Sequence, residues 1–123
     1  MNNHLLSAAI GDICGSVYEH LSIKDYNGVD LRNPRHYYTD DTVCSFAVAE
    51  ALLYDIDIVQ NLRDRCREDL NRGYGAQFLH WLMADDVEPP YNSFGNGSSM
   101  RVSAAGFMAK DEEECVRLAT KTA

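Results

Sequence analysis

Apolar residues along the chain recur three and four positions apart, and no segment shows sustained alternation of apolar and polar residues. Leu5, Leu6, Ala9, Ile10, Ile13 and Val17 share one helical face, with Asn2 or Asn3 as cap. Gly11 and Gly15, four apart on the same segment, form a small-residue stripe that would admit another backbone. Residues 21–38 break the pattern with Gly28, Pro34 and several charges, and read as a long functional loop. A second helix is predicted from near Asp40 through Phe46, Ala47, Ala49, Ala51, Leu52 and Leu53. A third, over 57–71, aligns Ile58, Leu62, Cys66 and Leu70, with Gly73 as its stop. Phe78, Leu79, Trp81 and Leu82 mark a fourth. The segment from Ala84 to Gly97, with Pro89-Pro90, reads as a polar loop. Ser98 or Ser99 opens a fifth helix through Val102, Ala105 and Phe107, and Asp111 with Glu114 gives a sixth a capping-box start. The fold class expected from this pattern is all-α.

The length of 123 residues suits one domain. Charge changes the picture more than length does. Nineteen acidic against eleven basic residues leave a net −8, which argues against binding nucleic acid or an anionic membrane surface. A small anionic ligand held through a bridging cation stays compatible with that charge. Cys14, Cys44, Cys66 and Cys115 are widely spaced and show neither a C-x-x-C nor a Cys/His pairing. All four are expected to be buried free thiols, as suits a reducing cytoplasm. The N-terminus lacks the basic and apolar regions of a signal peptide, and no apolar run reaches transmembrane length, so a cytoplasmic location is expected. Tyr74, Trp81, Tyr91 and Phe94 are all expected in the core, although the last two lie beside a glycine loop and a base could stack on them.

Three clusters carry candidate chemistry, and each has a plain structural alternative. Thr39-Asp40-Asp41-Thr42 offers hard oxygen ligands for Mg²⁺ or Ca²⁺ at a helix start, or else a helix cap worth about 0.3–1 kcal/mol through the dipole. In Gly11-Asp12-Ile13-Cys14-Gly15-Ser16-Val17-Tyr18-Glu19, Asp12 and Glu19 stand two helical turns apart, so either carboxyl could act as general acid or base on a glycosidic bond. Alternatively Asp12 is a hydrogen-bonded structural acid and Glu19 a solvated helix end. From Asn92 to Arg101, Gly95 and Gly97 permit close approach, and the helix that follows points free N–H groups at a phosphate. Arg101 could add a charge there or pair with a structural acid. The spacing matches neither a Walker A loop nor a Rossmann fingerprint, and a turn leading into a helix explains it equally well.

Taken in order, these clusters say more than they do separately. Gly-Asp-x-x-Gly-Ser-x-Tyr-Glu at 11–19, Tyr-Tyr-Thr-Asp-Asp-Thr at 37–42, Arg-Gly-Tyr-Gly at 72–75 and Gly-Asn-Gly-x-x-Met-Arg at 95–101 closely resemble the ADP-ribosylglycohydrolase family. The resemblance implies an all-helical orthogonal bundle that removes ADP-ribose from protein side chains or small conjugates with two Mg²⁺ ions, Mn²⁺ being an alternative. It implies metal ligation by Thr39, Asp40 and Asp41 and a catalytic acid at Glu19. It places Ser93, Phe94, Gly95, Asn96 and Gly97 along the ADP-ribose diphosphate, with residues 21–38 as the loop over the substrate. Phe94 stands where the family often carries Tyr, so a phenolic contact is lost.

The family's site is completed by an Asp-x-Asp-Thr-type motif far downstream, and a His-bearing motif is expected soon after the last helix. Neither lies within these residues. Residues 1–123 are therefore expected to be the N-terminal half of one domain, weak or inactive alone. Its uncovered apolar faces would favour self-association or complementation by the missing half. The leaving group stays open among arginine-, serine- and acetyl-linked ADP-ribose, the wording around Glu19 leaning toward the O-linked branch. Two other readings stand beside a hydrolase: a non-catalytic ADP-ribose-binding module and an acidic helical interaction protein.

Overall fold

The computed structural model describes residues 4–123, with Tyr26 described through its backbone alone, and the described residues form helices and loops without a strand. Asn2 and Asn3, the expected first caps, lie outside the described residues. Helix α1 spans His4–Gly15, α2 Asp40–Tyr54, α3 Ile58–Glu68 and α4 Ala76–Met83. A single turn, α5, covers Gly97–Met100, followed by α6 at Ser103–Met108 and α7 at Glu112–Thr122. None of these helices is long and apolar enough to cross a membrane.

Helix α2 is the centre of the packing, against α3 along most of its length and against α1 and α6 on other sides. Its buried stripe is Cys44, Ala47, Val48 and Ala51, a helical repeat of three and four. Alanines at two of these positions let α3 come close. Ile58, Leu62 and Cys66 of α3, Leu82 and Trp81 of α4, Tyr74 and Ala104 complete the core. Asn61 is buried where α2 and α3 cross, donating to the Ala47 carbonyl at 2.7 Å and to Glu50 at 3.0 Å. Arg63 is buried too. Its guanidinium donates to the carbonyls of Ala84 and Asp86 and lies 5.5 Å from the Trp81 ring centroid, which folds the loop after α4 back onto α3. Cys44 and Cys66 meet at 3.7 Å between their sulfurs as free thiols. The contact with Cys66 and burial raise the Cys44 thiol, so it stays protonated and inert at neutral pH. Cys14 and Cys115 are only half-buried, against the expectation for all four.

Three sequence expectations about helix extent are corrected. The first helix stops at Gly15 and tightens into a 3-10 turn at Ser16–Tyr18. The Ser16 hydroxyl donates to the Ile13 carbonyl at 2.9 Å and accepts from the Tyr37 N–H at 3.2 Å, drawing the backbone out of the α-helix. The third ends at Glu68, five residues before Gly73, because Asp69 turns its carboxylate to Tyr38 and Arg72. The expected fifth helix is broken at Arg101-Val102. There Ser45 donates to the Met100 carbonyl at 3.3 Å, and Arg101 reaches across to the carbonyls of Thr122 and Ala123. The α7 start is as expected: Asp111 accepts from the Glu114 N–H at 2.8 Å, while Glu114 reaches back to the Lys110 N–H.

Other placements differ as well. Nothing approaches a Cβ position at Gly11 or Gly15, so the small-residue stripe hosts no close backbone among the described residues. Tyr74 and Trp81 are core, but Tyr91 and Phe94 are exposed, Phe94 completely. Leu6, Ile10, Leu53, Tyr54 and Val116 are more than half exposed.

Leu82, wholly buried in the core cluster, tests the core. Leu82→Ala is expected to lower stability by about 2–5 kcal/mol, read as a lower urea midpoint at unchanged m-value. Leu53→Ala, at a side chain 54% exposed, should stay within about 0.5 kcal/mol of the parent.

Candidate active site

The start of α2 is built by hydrogen bonds that arrive from two other parts of the chain. Thr39 is the N-cap, buried and extended, and its hydroxyl accepts from the Asp41 N–H at 3.3 Å. From α1, the half-buried Asp12 carboxylate accepts three bonds: from the Thr39 N–H at 2.8 Å, the Thr39 hydroxyl at 2.6 Å and the Thr42 hydroxyl at 2.6 Å. From the α3–α4 connection, the Arg72 carbonyl accepts from the Asp40 N–H at 2.8 Å. The amides of Asp40 and Asp41, which an isolated helix would leave unpaired, are both satisfied. Gly73, at φ 93°, turns the chain in a left-handed conformation beside Asp40; a Cβ there would lie 3.6 Å from Asp40 Oδ1.

With their backbones pinned, Asp40 and Asp41 present adjacent half-buried carboxylates. Burial and the neighbouring Asp41, with smaller contributions from Glu19 and Asp12, push the Asp40 carboxyl up to about 6. Asp41 is raised too, by burial first and then by Asp12 and Glu19, against the lowering bond from Thr39. Among the described residues no Lys or Arg pairs with Asp12, Asp40 or Asp41. A cavity of about 210 Å³ opens beside Asp12, Asp41 and Thr42, between α1 and α2, and reaches Met100.

Of the sequence candidates, Thr39, Asp40 and Asp41 come together at one helix end. Glu19 follows the 3-10 turn, exposed, close enough for its charge to act on both aspartates. It does not share a helix with Asp12, whose alternative reading as a hydrogen-bonded structural acid is the one realised. Ser93 to Asn96 form an exposed loop leading into α5, which begins at the half-buried Gly97 and lies against α2, and none of the five lines the cavity beside Asp41. Within the loop the Ser93 hydroxyl accepts from the Gly95 N–H at 3.0 Å, and the Asn96 carbonyl accepts from the N–H groups of Ser99 and Met100. Arg101 lies beside Gly97, where an added Cβ would meet its Nη1 at 3.5 Å, and donates to the carbonyls of Thr122 and Ala123. No group of three His, Cys, Asp or Glu side chains among the described residues is arranged to hold a metal by itself. Sequence reasoning assigned no role to Tyr38, Asp69 and Arg72, which fasten the α3–α4 connection to residues 38–40. Their spacing along the chain holds no signal of that contact.

Two stability measurements check this geometry. Asp12→Ala strands the Thr39 amide and is expected to cost about 1–3 kcal/mol in urea unfolding. A carboxyl raised in the folded state favours folding in its protonated form. Its penalty therefore grows as pH climbs from 3.8 to about 6 and is complete above that. Asp40→Asn is accordingly expected to raise the Tm of metal-free protein at pH 7.5 and to lose that advantage below pH 4.

Comparison with known proteins shows the family. A family model described as ADP-ribosylglycohydrolase matches residues 3–123. Human ADP-ribosylhydrolase ARH3 is 29% identical over 153 residues, covering 95% of this chain and 42% of the human protein. The mouse protein of the same name is also 29% identical, with 95% of this chain and 41% of its own length covered. The chicken protein is 26% identical over 155 residues, at 97% and 42%. The chain thus spans about two-fifths of the length of the curated relatives it matches. With the family model accounting for residues 3–123, the chain belongs to the ADP-ribosylglycohydrolase family.

Proposed function

We propose that these residues carry one side of the active site of a metal-dependent hydrolase that releases ADP-ribose from protein side chains or small conjugates. The observation that carries the reading is the start of α2: two adjacent, half-buried carboxylates held in place through their backbones, with only acidic neighbours to answer their charge. Such a pair is unfavourable for folding, which points to a cation that offsets it in use.

The donors suit Mg²⁺, with Mn²⁺ as a substitute. Asp40 and Asp41 are hard oxygen ligands, and the Thr39 hydroxyl, which gives its proton to Asp12 and accepts from Asp41, keeps a lone pair free. Thr39, Asp40 and Asp41 would hold the metal, two ions being the expected complement of a whole site. Bound there, the metal would supply positive charge to orient ribose oxygens and offset charge that develops during bond cleavage. Glu19, exposed and near the aspartates, serves as the acid or base for the leaving group or the attacking water. Ser93, Phe94, Gly95, Asn96 and Gly97 line the diphosphate through loop N–H groups, and residues 21–38 cover the substrate. That segment is anchored where the Tyr18 hydroxyl bonds both the N–H and the carbonyl of Asp30. With ligands supplied from one face only, the 123-residue chain alone hydrolyses weakly or not at all.

Titration calorimetry with ADP-ribose tests the reading. Binding is expected to strengthen with Mg²⁺ and to lose that gain in Asp40→Ala. Equal binding with and without metal would instead favour a non-catalytic ADP-ribose module. No binding in either condition would count against both and favour an interaction protein. Robust Mg²⁺-dependent release of ADP-ribose by the purified chain would overturn its inactivity.

A further inference from the structure

The α3–α4 connection carries a compact polar cluster outside the ligands assigned above. The Tyr38 hydroxyl donates to Asp69 Oδ2 at 2.7 Å. Arg72 donates from Nε to the same Asp69 oxygen at 2.5 Å and from Nη2 to the Tyr38 hydroxyl at 2.8 Å. Its guanidinium carbon lies 3.7 Å from the Tyr38 ring centroid. The fork is therefore held by an ion pair, a hydroxyl and an aromatic face at once, the combination that fixes an arginine most firmly.

Two consequences meet at Asp40. Fixing Arg72 fixes its carbonyl, which receives the Asp40 N–H at 2.8 Å. It also fixes where the guanidinium charge sits. Arg72 is a cation one residue from Gly73, where an added Cβ would lie 3.6 Å from Asp40 Oδ1, yet its guanidinium pairs with Asp69, and among the described residues it makes no ion pair with Asp40 or Asp41. Asp69 is the counter-ion that keeps it so.

We infer that Tyr38, Asp69 and Arg72 are positioning residues: together they aim the Asp40 backbone and hold the Arg72 charge away from the Asp40–Asp41 carboxylates, leaving these free for a cation. The inference deepens the metal-dependent reading and rests on it for its second half; the first half stands on the Asp40 hydrogen bond alone.

The test uses the 123-residue chain and two readouts. Amide hydrogen exchange by NMR reports the Asp40 N–H, and electron paramagnetic resonance reports Mn²⁺ affinity. Asp69→Asn and Arg72→Ala are each expected to speed Asp40 exchange by about tenfold or more, with amides in the middle of α2 unaffected. Tyr38→Phe, a mild change at a half-exposed ring, should give a smaller effect of the same sign and serves if either other variant unfolds. Asp69→Asn is expected to weaken Mn²⁺ binding about tenfold by freeing Arg72 toward the carboxylates. Adding Arg72→Ala to Asp69→Asn should restore part of that affinity while Asp40 exchange stays fast, which loss of structure alone would not do. Unchanged Asp40 exchange in all three single variants would overturn the positioning role. Equal Mn²⁺ affinity in Asp69→Asn and the parent would overturn the charge-holding role. A parent chain that binds no Mn²⁺ would overturn that role together with the metal reading, while the exchange data would still decide the positioning role.

Discussion

The Asp12 carboxylate, accepting three hydrogen bonds from Thr39 and Thr42, is the contact on which the arrangement around it turns. A carboxylate in that position does what neither helix can do alone. It ties the last turn of α1 to the first turn of α2, orients the Thr39 hydroxyl so that its oxygen caps Asp41, and satisfies the Thr39 amide. Because Thr39 is buried, each of those groups would otherwise pay the full desolvation penalty. Ala9, one turn earlier on α1, is buried as well, so apolar contact and polar anchor lie side by side on that helix. The cavity beside Asp41 is the space left between helices joined in this way.

Helix α2 has a dry side and a charged end. The Cys44, Ala47, Val48 and Ala51 stripe is held by α3, α4 and α6, so the helix cannot rotate without opening the core. The aspartates are thereby carried on a rigid element, with backbone positions set from Asp12 on one side and Arg72 on the other. Such preorganisation suits a site in which charges must be held at short range before any ligand arrives.

The distribution of arginines explains how an acidic site survives in the fold. Arg63 and Arg67 cap carbonyls in the loop after α4, Arg101 caps the end of α7, and Arg65 pairs with Glu50 and Glu68. Arg72 pairs with Asp69. Each of these cations is held by a structural partner, and the start of α2 is left with negative charge alone. The net −8 of the chain is thus more than a surface property: locally it is a concentration of unanswered carboxylates at one helix end.

Local patterns in the sequence determined the helical class and the caps at Thr39 and Asp111, because a cap is decided within a few residues. The motif order from Gly11 to Arg101 was enough to indicate the family. Tertiary structure decided what those patterns left open. It stopped α1 at Gly15, where the Tyr37 N–H reaches the Ser16 hydroxyl, α3 at Glu68, where Tyr38 donates to the Asp69 carboxylate, and α5 at Met100, where Ser45 donates to the carbonyl. It chose the structural role for Asp12, moved Glu19 off the helix that carries Asp12, and left Phe94 in solvent. It also brought Tyr38 to Asp69 and Arg72 across more than thirty residues, and so aimed Asp40. Hydrogen bonds between groups far apart in the chain leave no periodicity to read, and only the packed helices bring their partners together.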